Sequence, residues 1–175
     1  FKQGDITFQL DLFFQEPLDV QRRLLIKAIK FLGESEFGPR SNEINNLLCS
    51  FKKRETHTLK GFHFYFYKNC MRMSREYNSI KNLLGKPNEI WDNRWFIKGP
   101  MSSKYIIKPL GEKGLSAVGE WKDKGVPKVA LLSSPAVWNK DQLKIALLID
   151  NVRSWSLKPL KEEKEFLIYD KVLNH

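Results

Sequence analysis

The sequence predicts an α+β fold of two small modules, an N-terminal helical pair with an antiparallel β-hairpin or sheet and a C-terminal mixed α+β module. The 175 residues are 42% hydrophobic, which suffices for a core and for one domain or two small ones. The hydrophobic period changes from 3.6 to 2 beyond Glu55. A stretch rich in Asn, Gly and Pro follows. We therefore predict a module at residues 1–77, a linker at 78–89 and a second module at 90–175.

The first module begins with two predicted helices. In residues 19–32 apolar side chains recur at helical spacing, with Pro17 before the segment and Gly33 after it as a stop. A second helix is predicted over residues 41–51, with Glu43 in its first turn, where an acidic side chain favours a helix start. The first segment carries Arg22, Arg23, Lys27 and Lys30 on its polar face, and the second leads into the short basic cluster FKKRE.

The stretch KGFHFYFY, residues 60–67, is the most conspicuous part of the predicted sheet. It matches the aromatic RNA-recognition fingerprint except at His63 and Tyr65. Two interpretations follow, a platform for base stacking or a strand with a core face. Alternation along a strand favours the second, since it separates a core face of Phe from an amphipathic face of His and Tyr. The core face consists of Phe62, Phe64 and Phe66, and the amphipathic face consists of His63, Tyr65 and Tyr67.

The second module has a different pattern, with predicted strands in IWDNRWFIKG, KYIIKPLG and KIALLI. The segment GEKG, residues 111–114, is predicted as a turn rather than a phosphate-binding loop. In WDNRW, Trp91 and Trp95 fall on one side of a strand, so we predict that they pack inward while Asp92 and Arg94 pair. The alternative is that the tryptophans stack on unpaired bases and Arg94 contacts a phosphate.

The charge balance favours a polyanionic partner. Thirty Lys and Arg face twenty Asp and Glu, a formal net charge of +10, and the excess is spread over both halves of the chain. Neutralisation of phosphates by such residues drives most nucleic-acid affinity. A lysine-rich solubilising surface is the alternative. No apolar run is long enough to span a bilayer and the chain does not open like a signal peptide, so we expect a cytoplasmic protein without a membrane partner.

The residues that usually carry catalysis or hold metals are few. The histidines are His57, His63 and His175, and the cysteines are Cys49 and Cys70. None of them stands at a metal-ligand spacing, and neither GxxxxGK[ST] nor GxGxxG is present. The sequence thus predicts neither catalytic nor metal-binding residues, and indicates a binding protein.

The order of several short motifs resembles the tRNA(Ile)-lysidine synthetases, also called synthases, in the region that follows their catalytic domain. The motifs are VQRRLL, FGPRSNEINNLL with Pro39-Arg40 before the second helix, TLKG, MRMSRE, IWDNRW, PLGEKG, VP and SPAVW. They cover most of the chain, whereas the tail after Asp141 departs from the family pattern, so the resemblance assigns no role beyond Trp138.

The resemblance implies part of an ATP-dependent ligase of tRNA processing. These enzymes adenylate the anticodon wobble cytidine of an isoleucine tRNA and join lysine to it. Their catalytic Ser-Gly-Gly-x-Asp-Ser loop is absent, and the chain opens on Phe1, so we expect a C-terminal fragment that is inactive alone. No cofactor is then expected in this chain, because ATP and magnesium, like lysine, would bind the missing catalytic domain. A homodimer is left open.

The implied partner is tRNA, and the expected contacts are basic side chains of the first module. They are Arg22, Arg23, Lys27, Lys30, Arg40, Lys52, Lys53 and Arg54. Two alternatives remain, a stand-alone RNA-binding module and a protein-interaction module whose charge is incidental.

Overall fold

The computed structural model describes residues 4–33, 37–161 and Phe166. The chain forms two compact units. The first unit comprises Asp5–Ser74 with Phe166, and the second comprises Gly4 with Arg75–Lys161. Both combine helices with antiparallel sheets, which confirms the predicted α+β class. No helix in the described part of the chain is long and apolar enough to cross a membrane.

Three helices open the first unit. They are α1 (Leu10–Gln15), α2 (Leu18–Leu32) and α3 (Ser41–Lys52). Helix α2 follows Pro17 and ends at Gly33, whose backbone N–H donates to the Ile29 carbonyl at 2.8 Å. At the start of α3 the Glu43 carboxylate accepts a hydrogen bond from the Arg40 backbone N–H at 2.6 Å. The two predicted helices are therefore present, and α1 is an element that the sequence pattern did not reveal.

A four-stranded sheet completes the first unit. Its strands are β1 (Ile6–Gln9), β2 (His57–Leu59), β3 (Phe62–Tyr67) and β4 (Cys70–Arg75). They stand in the order β1-β4-β3-β2, with β1 antiparallel to β4 and β2 antiparallel to β3. Three helices lie between β1 and β2 in the chain, so the order differs from the β-α-β-β-α-β order of RNA-recognition domains.

Two phenylalanines of β3 lie in the core of this unit, as alternation predicts, whereas Phe66 is half-buried and Tyr65, predicted on the amphipathic face, is also buried. Phe62 and Phe64 are buried completely. The Phe51 ring of α3 lies 5.8 Å from the Phe64 ring and 6.2 Å from the Phe66 ring, measured between centroids. Aromatic side chains bury large apolar areas, so this contact between helix and sheet is a main source of stability.

The second unit contains two three-stranded antiparallel sheets. In chain order its elements are α4 (Tyr77–Ile80), β5 (Ile90–Trp91), β6 (Trp95–Lys98), β7 (Ile106–Pro109), α5 (Gly111–Val118), a 3₁₀ turn (Lys122–Lys124), α6 (Lys128–Leu132), β8 (Pro135–Asn139), β9 (Gln142–Ala146) and β10 (Ser156–Pro159). The strand orders are β10-β6-β5 and β7-β8-β9. Residues 78–89, predicted as a linker, include part of α4, and Ile80 lies in the core of this unit. The predicted module boundaries themselves stay a prediction.

The segment GEKG is not a turn but the start of α5, so that prediction is wrong. The Gly114 N–H donates to the Leu110 carbonyl at 3.1 Å, a helical bond, and Leu115 turns into the core. A Cβ at Gly114 would stand 2.9 Å from the Trp138 ring. Gly114 therefore marks the close approach of a helix to a tryptophan, where glycine content alone had indicated a turn.

Candidate nucleic-acid interface

The four predicted contact residues of α2 differ in exposure. Arg23 and Lys30 are exposed, whereas Arg22 and Lys27 are half-buried. Arg23 pairs with Asp19 one turn earlier, at 3.1 Å between Nε and Oδ2. The Lys27 ammonium lies 4.5 Å from the centroid of the Phe166 ring. Part of the positive charge of α2 is therefore already engaged within the first unit.

Helix α3 carries the other four residues at its two ends. Arg40 directly precedes the helix, Lys52 is its last residue, and Lys53 and Arg54 follow it. All four are exposed. Twelve helical residues rise about 18 Å, so Arg40 is well separated from the other three. The structure thus yields one compact basic cluster, which we call the 52–54 cluster.

Local backbone bonds hold the 52–54 cluster in place. The Lys53 N–H donates to the Cys49 carbonyl at 3.3 Å, and the Arg54 N–H donates to the Phe51 carbonyl at 3.0 Å. Arg54 has a φ of 55°, and this left-handed residue ends the helix. None of the three side chains forms an ion pair with another residue in the described part of the chain. Their charge is therefore available to an anionic ligand.

The packing of α2 on α3 determines which of the predicted RNA contacts lie close together. Arg22 donates from Nε to the Asn45 Oδ1 at 3.1 Å. Eight residues further along α2, the Lys30 side chain lies against Gly38, just before α3. These two contacts make the helices antiparallel. Lys30 and Arg40 thus lie near the connection between the helices, whereas the 52–54 cluster lies towards the beginning of α2.

The first unit also holds a buried polar cluster that sequence reasoning missed. Arg72 of β4 pairs with Asp5, and the Tyr65 hydroxyl shares a hydrogen bond with the Ser74 hydroxyl at 3.1 Å. Burial raises the pKa of Asp5 above its ordinary 3.8, and the attraction of Arg72 offsets only part of that effect. Burial likewise raises the pKa of Tyr65 above 10.0, against the hydrogen bond from Ser74. These are structural groups, since little of them reaches solvent.

The WDNRW motif is structural, as predicted, but it forms the turn between β5 and β6 and is not a single strand, since Trp91 pairs with Trp95 and Asp92 and Asn93 have positive φ values. Trp91 and Trp95 are buried in the core of the second unit. The Arg94 guanidinium donates from Nε to Asp92 Oδ2 at 2.6 Å and from Nη1 to the Gly4 carbonyl at 3.1 Å. Asp92 also accepts from Arg75 Nε at 3.2 Å. With only 7% of its surface exposed, Arg94 is excluded as a phosphate contact in this arrangement.

The two histidines in the described part of the chain, His57 and His63, serve local structure. The Nδ1 atom of His57 lies 3.1 Å from the Ser50 hydroxyl, and that of His63 lies 3.2 Å from the Thr58 hydroxyl. The His63 ring stacks on Tyr65. Within residues 4–33, 37–161 and Phe166, no three His, Cys, Asp or Glu side chains converge in a way that could hold a metal ion. The arrangement offers binding surfaces made of exposed cations.

Comparison with known proteins places these observations in a family context. No family model and no solved structure matches the chain. A curated tRNA(Ile)-lysidine synthase from Ruegeria pomeroyi is 27% identical to it over 172 residues. The match covers 98% of this chain and 41% of that protein, so the chain spans about two fifths of the length of this relative. The resemblance that the sequence motifs indicate is thereby confirmed, and the chain is similar over nearly its whole length to part of a tRNA(Ile)-lysidine synthase.

Proposed function

We propose that this chain is the tRNA-binding C-terminal part of a tRNA(Ile)-lysidine synthase, and that it positions an isoleucine tRNA for lysine ligation to the wobble cytidine. The observation that carries the proposal is the similarity to a lysidine synthase along 98% of the chain. Adenylation and lysine transfer, with their ATP and magnesium, belong in this proposal to a separate catalytic domain. The chain alone is then a binding module without ligase activity.

The surface of the first unit supports a role in gripping tRNA. RNA helices are recognised largely by shape, phosphates and 2′-hydroxyls, so a protein needs exposed cations rather than a base-reading groove. The 52–54 cluster provides three such cations on a fixed helix end, and Arg40 provides a fourth at the opposite end of α3. Arg40 and the 52–54 cluster are about 18 Å apart, so in this proposal they contact separate stretches of one RNA backbone.

A charge-removal experiment tests the proposal. In a variant that combines Lys52→Ala, Lys53→Ala and Arg54→Ala, the affinity for folded tRNA should fall and depend less on salt. Each lost phosphate contact removes about 0.7–0.9 from the slope of log K against log salt concentration, so three contacts remove about 2–3. Fluorescence anisotropy with labelled tRNA, over a series of salt concentrations, measures both quantities.

The matched control removes the same charge from exposed lysines of the second unit. It combines Lys122→Ala, Lys124→Ala and Lys140→Ala, three side chains that are exposed. If both triple variants lose equal affinity, binding depends on total charge and the 52–54 cluster is not a site. A preference of the unchanged chain for an unstructured oligonucleotide over folded tRNA would instead favour a general single-strand-binding module.

A further inference from the structure

One exposed aromatic ring at the tip of the β3–β4 hairpin is flanked by two cations. Tyr67 is the last residue of β3, and 37% of its surface is exposed. The Lys68 ammonium and the Arg72 guanidinium carbon each lie 5.7 Å from the centroid of its ring. Cations within about 6 Å of a ring centroid are attracted to its face. The hairpin tip thus combines a flat ring with local positive charge.

Contacts within the first unit fix this tip. The Asn69 side-chain amide donates to the Asp11 carboxylate of α1 at 3.0 Å. The Leu10 N–H donates to the Asn69 carbonyl at 3.4 Å. Arg72 is tied to the buried Asp5 carboxylate. The hairpin backbone and the guanidinium beside the ring are therefore held in place before any ligand arrives, which lowers the entropy cost of binding.

Lys68 is the cation that remains available at the tip. Its side chain is exposed, and its φ of 56° places it in the left-handed turn between the strands. Unlike Arg72, it forms no ion pair with another residue in the part of the chain that the structure describes. An ammonium beside an exposed ring is suited to a phosphate next to a stacked base, because base–aromatic stacking and backbone neutralisation act together in single-strand recognition.

The neighbouring rings of the same strand face cannot do the same. Tyr65 is only 6% exposed and its hydroxyl is bound to Ser74, while His63 stacks on Tyr65. A multi-base platform of the RNA-recognition type is therefore absent here. What the strand offers is a single ring at its end.

We propose that Tyr67 stacks on one unpaired base of the bound tRNA and that Lys68 contacts a phosphate beside that base. The inference rests on the proposed function, because it names a second point of contact on the same ligand. It lies outside the set of basic residues on α2 and α3 and adds recognition of unpaired nucleotides to recognition of charge.

Three variants of the whole 175-residue chain test the inference. Tyr67→Ala should weaken binding to folded tRNA about tenfold while leaving the salt slope unchanged, because a stacking contact releases no counterions. Tyr67→Phe keeps the ring and should bind like the unchanged chain. Lys68→Ala should lower the salt slope by about one, as expected for one phosphate contact. Anisotropy titrations over several salt concentrations measure all three.

Phe14→Ala provides the matched control. Phe14 belongs to the same unit and is 38% exposed, almost the same fraction as Tyr67. In the described residues its ring contacts Phe13, without a cation over its face. Phe14→Ala should therefore leave tRNA affinity unchanged. A blunt, fully paired RNA duplex is the second control, since Tyr67→Ala should not alter the affinity for a ligand without unpaired bases.

The outcomes separate this inference from the proposed function. If the unchanged chain binds tRNA and the Tyr67→Ala variant binds it equally well, the stacking contact is disproved while the tRNA-binding role stands. An equal loss of affinity for the paired duplex also disproves stacking. If the unchanged chain does not bind folded tRNA, both proposals are wrong. A tenfold loss confined to folded tRNA, with Tyr67→Phe unaffected, supports the stacking contact.

Discussion

The two aromatic motifs, residues 60–67 in the first unit and 91–95 in the second, look alike in the sequence and are used differently. Both combine aromatic and basic residues around a tight turn. In the second unit both tryptophans and Arg94 are buried, and the arginine bonds to groups of the same unit. In the first motif Phe62 and Phe64 are buried and Phe66 is half-buried, but the strand ends in the exposed Tyr67 beside Lys68.

The difference teaches that position along the strand, not composition, decides what such a motif can contact. Residues in the middle of a paired strand bury one face, so their rings become core. A ring at the end of a strand lies outside the buried face and can contact a ligand. The following three predictions test this contrast, in order of expected effect.

The largest effect should come from the core of the first motif. Phe64→Ala removes a fully buried ring that packs on Phe51, and such truncations cost about 3–5 kcal/mol of the free energy of unfolding. Urea unfolding followed by far-UV circular dichroism measures the loss. A variant that keeps its stability yet no longer binds RNA would show that Phe64 is a ligand contact, and the contrast would fail.

A comparable but smaller loss should follow from Arg94→Ala. Breaking a buried ion pair by removing one partner costs about 3 kcal/mol at the low end of the usual range, which we expect here because the partly buried Arg75 still holds Asp92. The control is Arg23→Ala, which breaks an exposed i,i+4 pair with Asp19 and should cost about 0.3–0.5 kcal/mol. Denaturation midpoints of the two variants measure the difference. Equal midpoints would mean that the Arg94 ion pair does not stabilise the fold, and Arg94 would again be a candidate RNA contact.

The smallest effect concerns pH. Because burial raises the pKa of Asp5, the folded state holds a proton that the unfolded state releases near pH 3.8, so the Asp5 contribution to stability is full below that pH. It is lost as pH rises through the folded pKa. In Asp5→Asn this dependence is absent. The difference in unfolding free energy, unchanged chain minus variant, should therefore fall with rising pH in urea titrations, whereas a rise would mean that attraction to Arg72 outweighs burial.

Much of the first unit was predictable because its periodicities are strong. Helix α2 was predicted over residues 19–32 and spans Leu18–Leu32, and the burial of Phe62 and Phe64 follows from alternation along β3. Helix α1 was missed because its six residues are too few to show a helical period. The start of helix α5 was missed because its glycines were taken as turn signals, although a Cβ at Gly114 would crowd the side chains of Leu110 and Trp138.

For the candidate RNA contacts, the sequence predicts which residues are charged but not which of them are exposed or lie next to one another in the fold. The sequence places Lys52, Lys53 and Arg54 together because they are consecutive, and the structure leaves all three exposed. Nothing in the sequence indicates that Lys27 lies over Phe166, since that contact joins distant segments. Tyr67 was assigned to an amphipathic face, but its cationic neighbours depend on how β3 and β4 pair, which alternation alone does not determine.

The distribution of tryptophan has a practical consequence. All five tryptophans lie in the second unit and none in the first. Intrinsic tryptophan emission therefore reports on one unit without any label. If tRNA binds only through α3 and the β3–β4 hairpin, binding should leave the tryptophan emission unchanged. A change in the emission spectrum on binding would instead indicate an additional contact in the second unit.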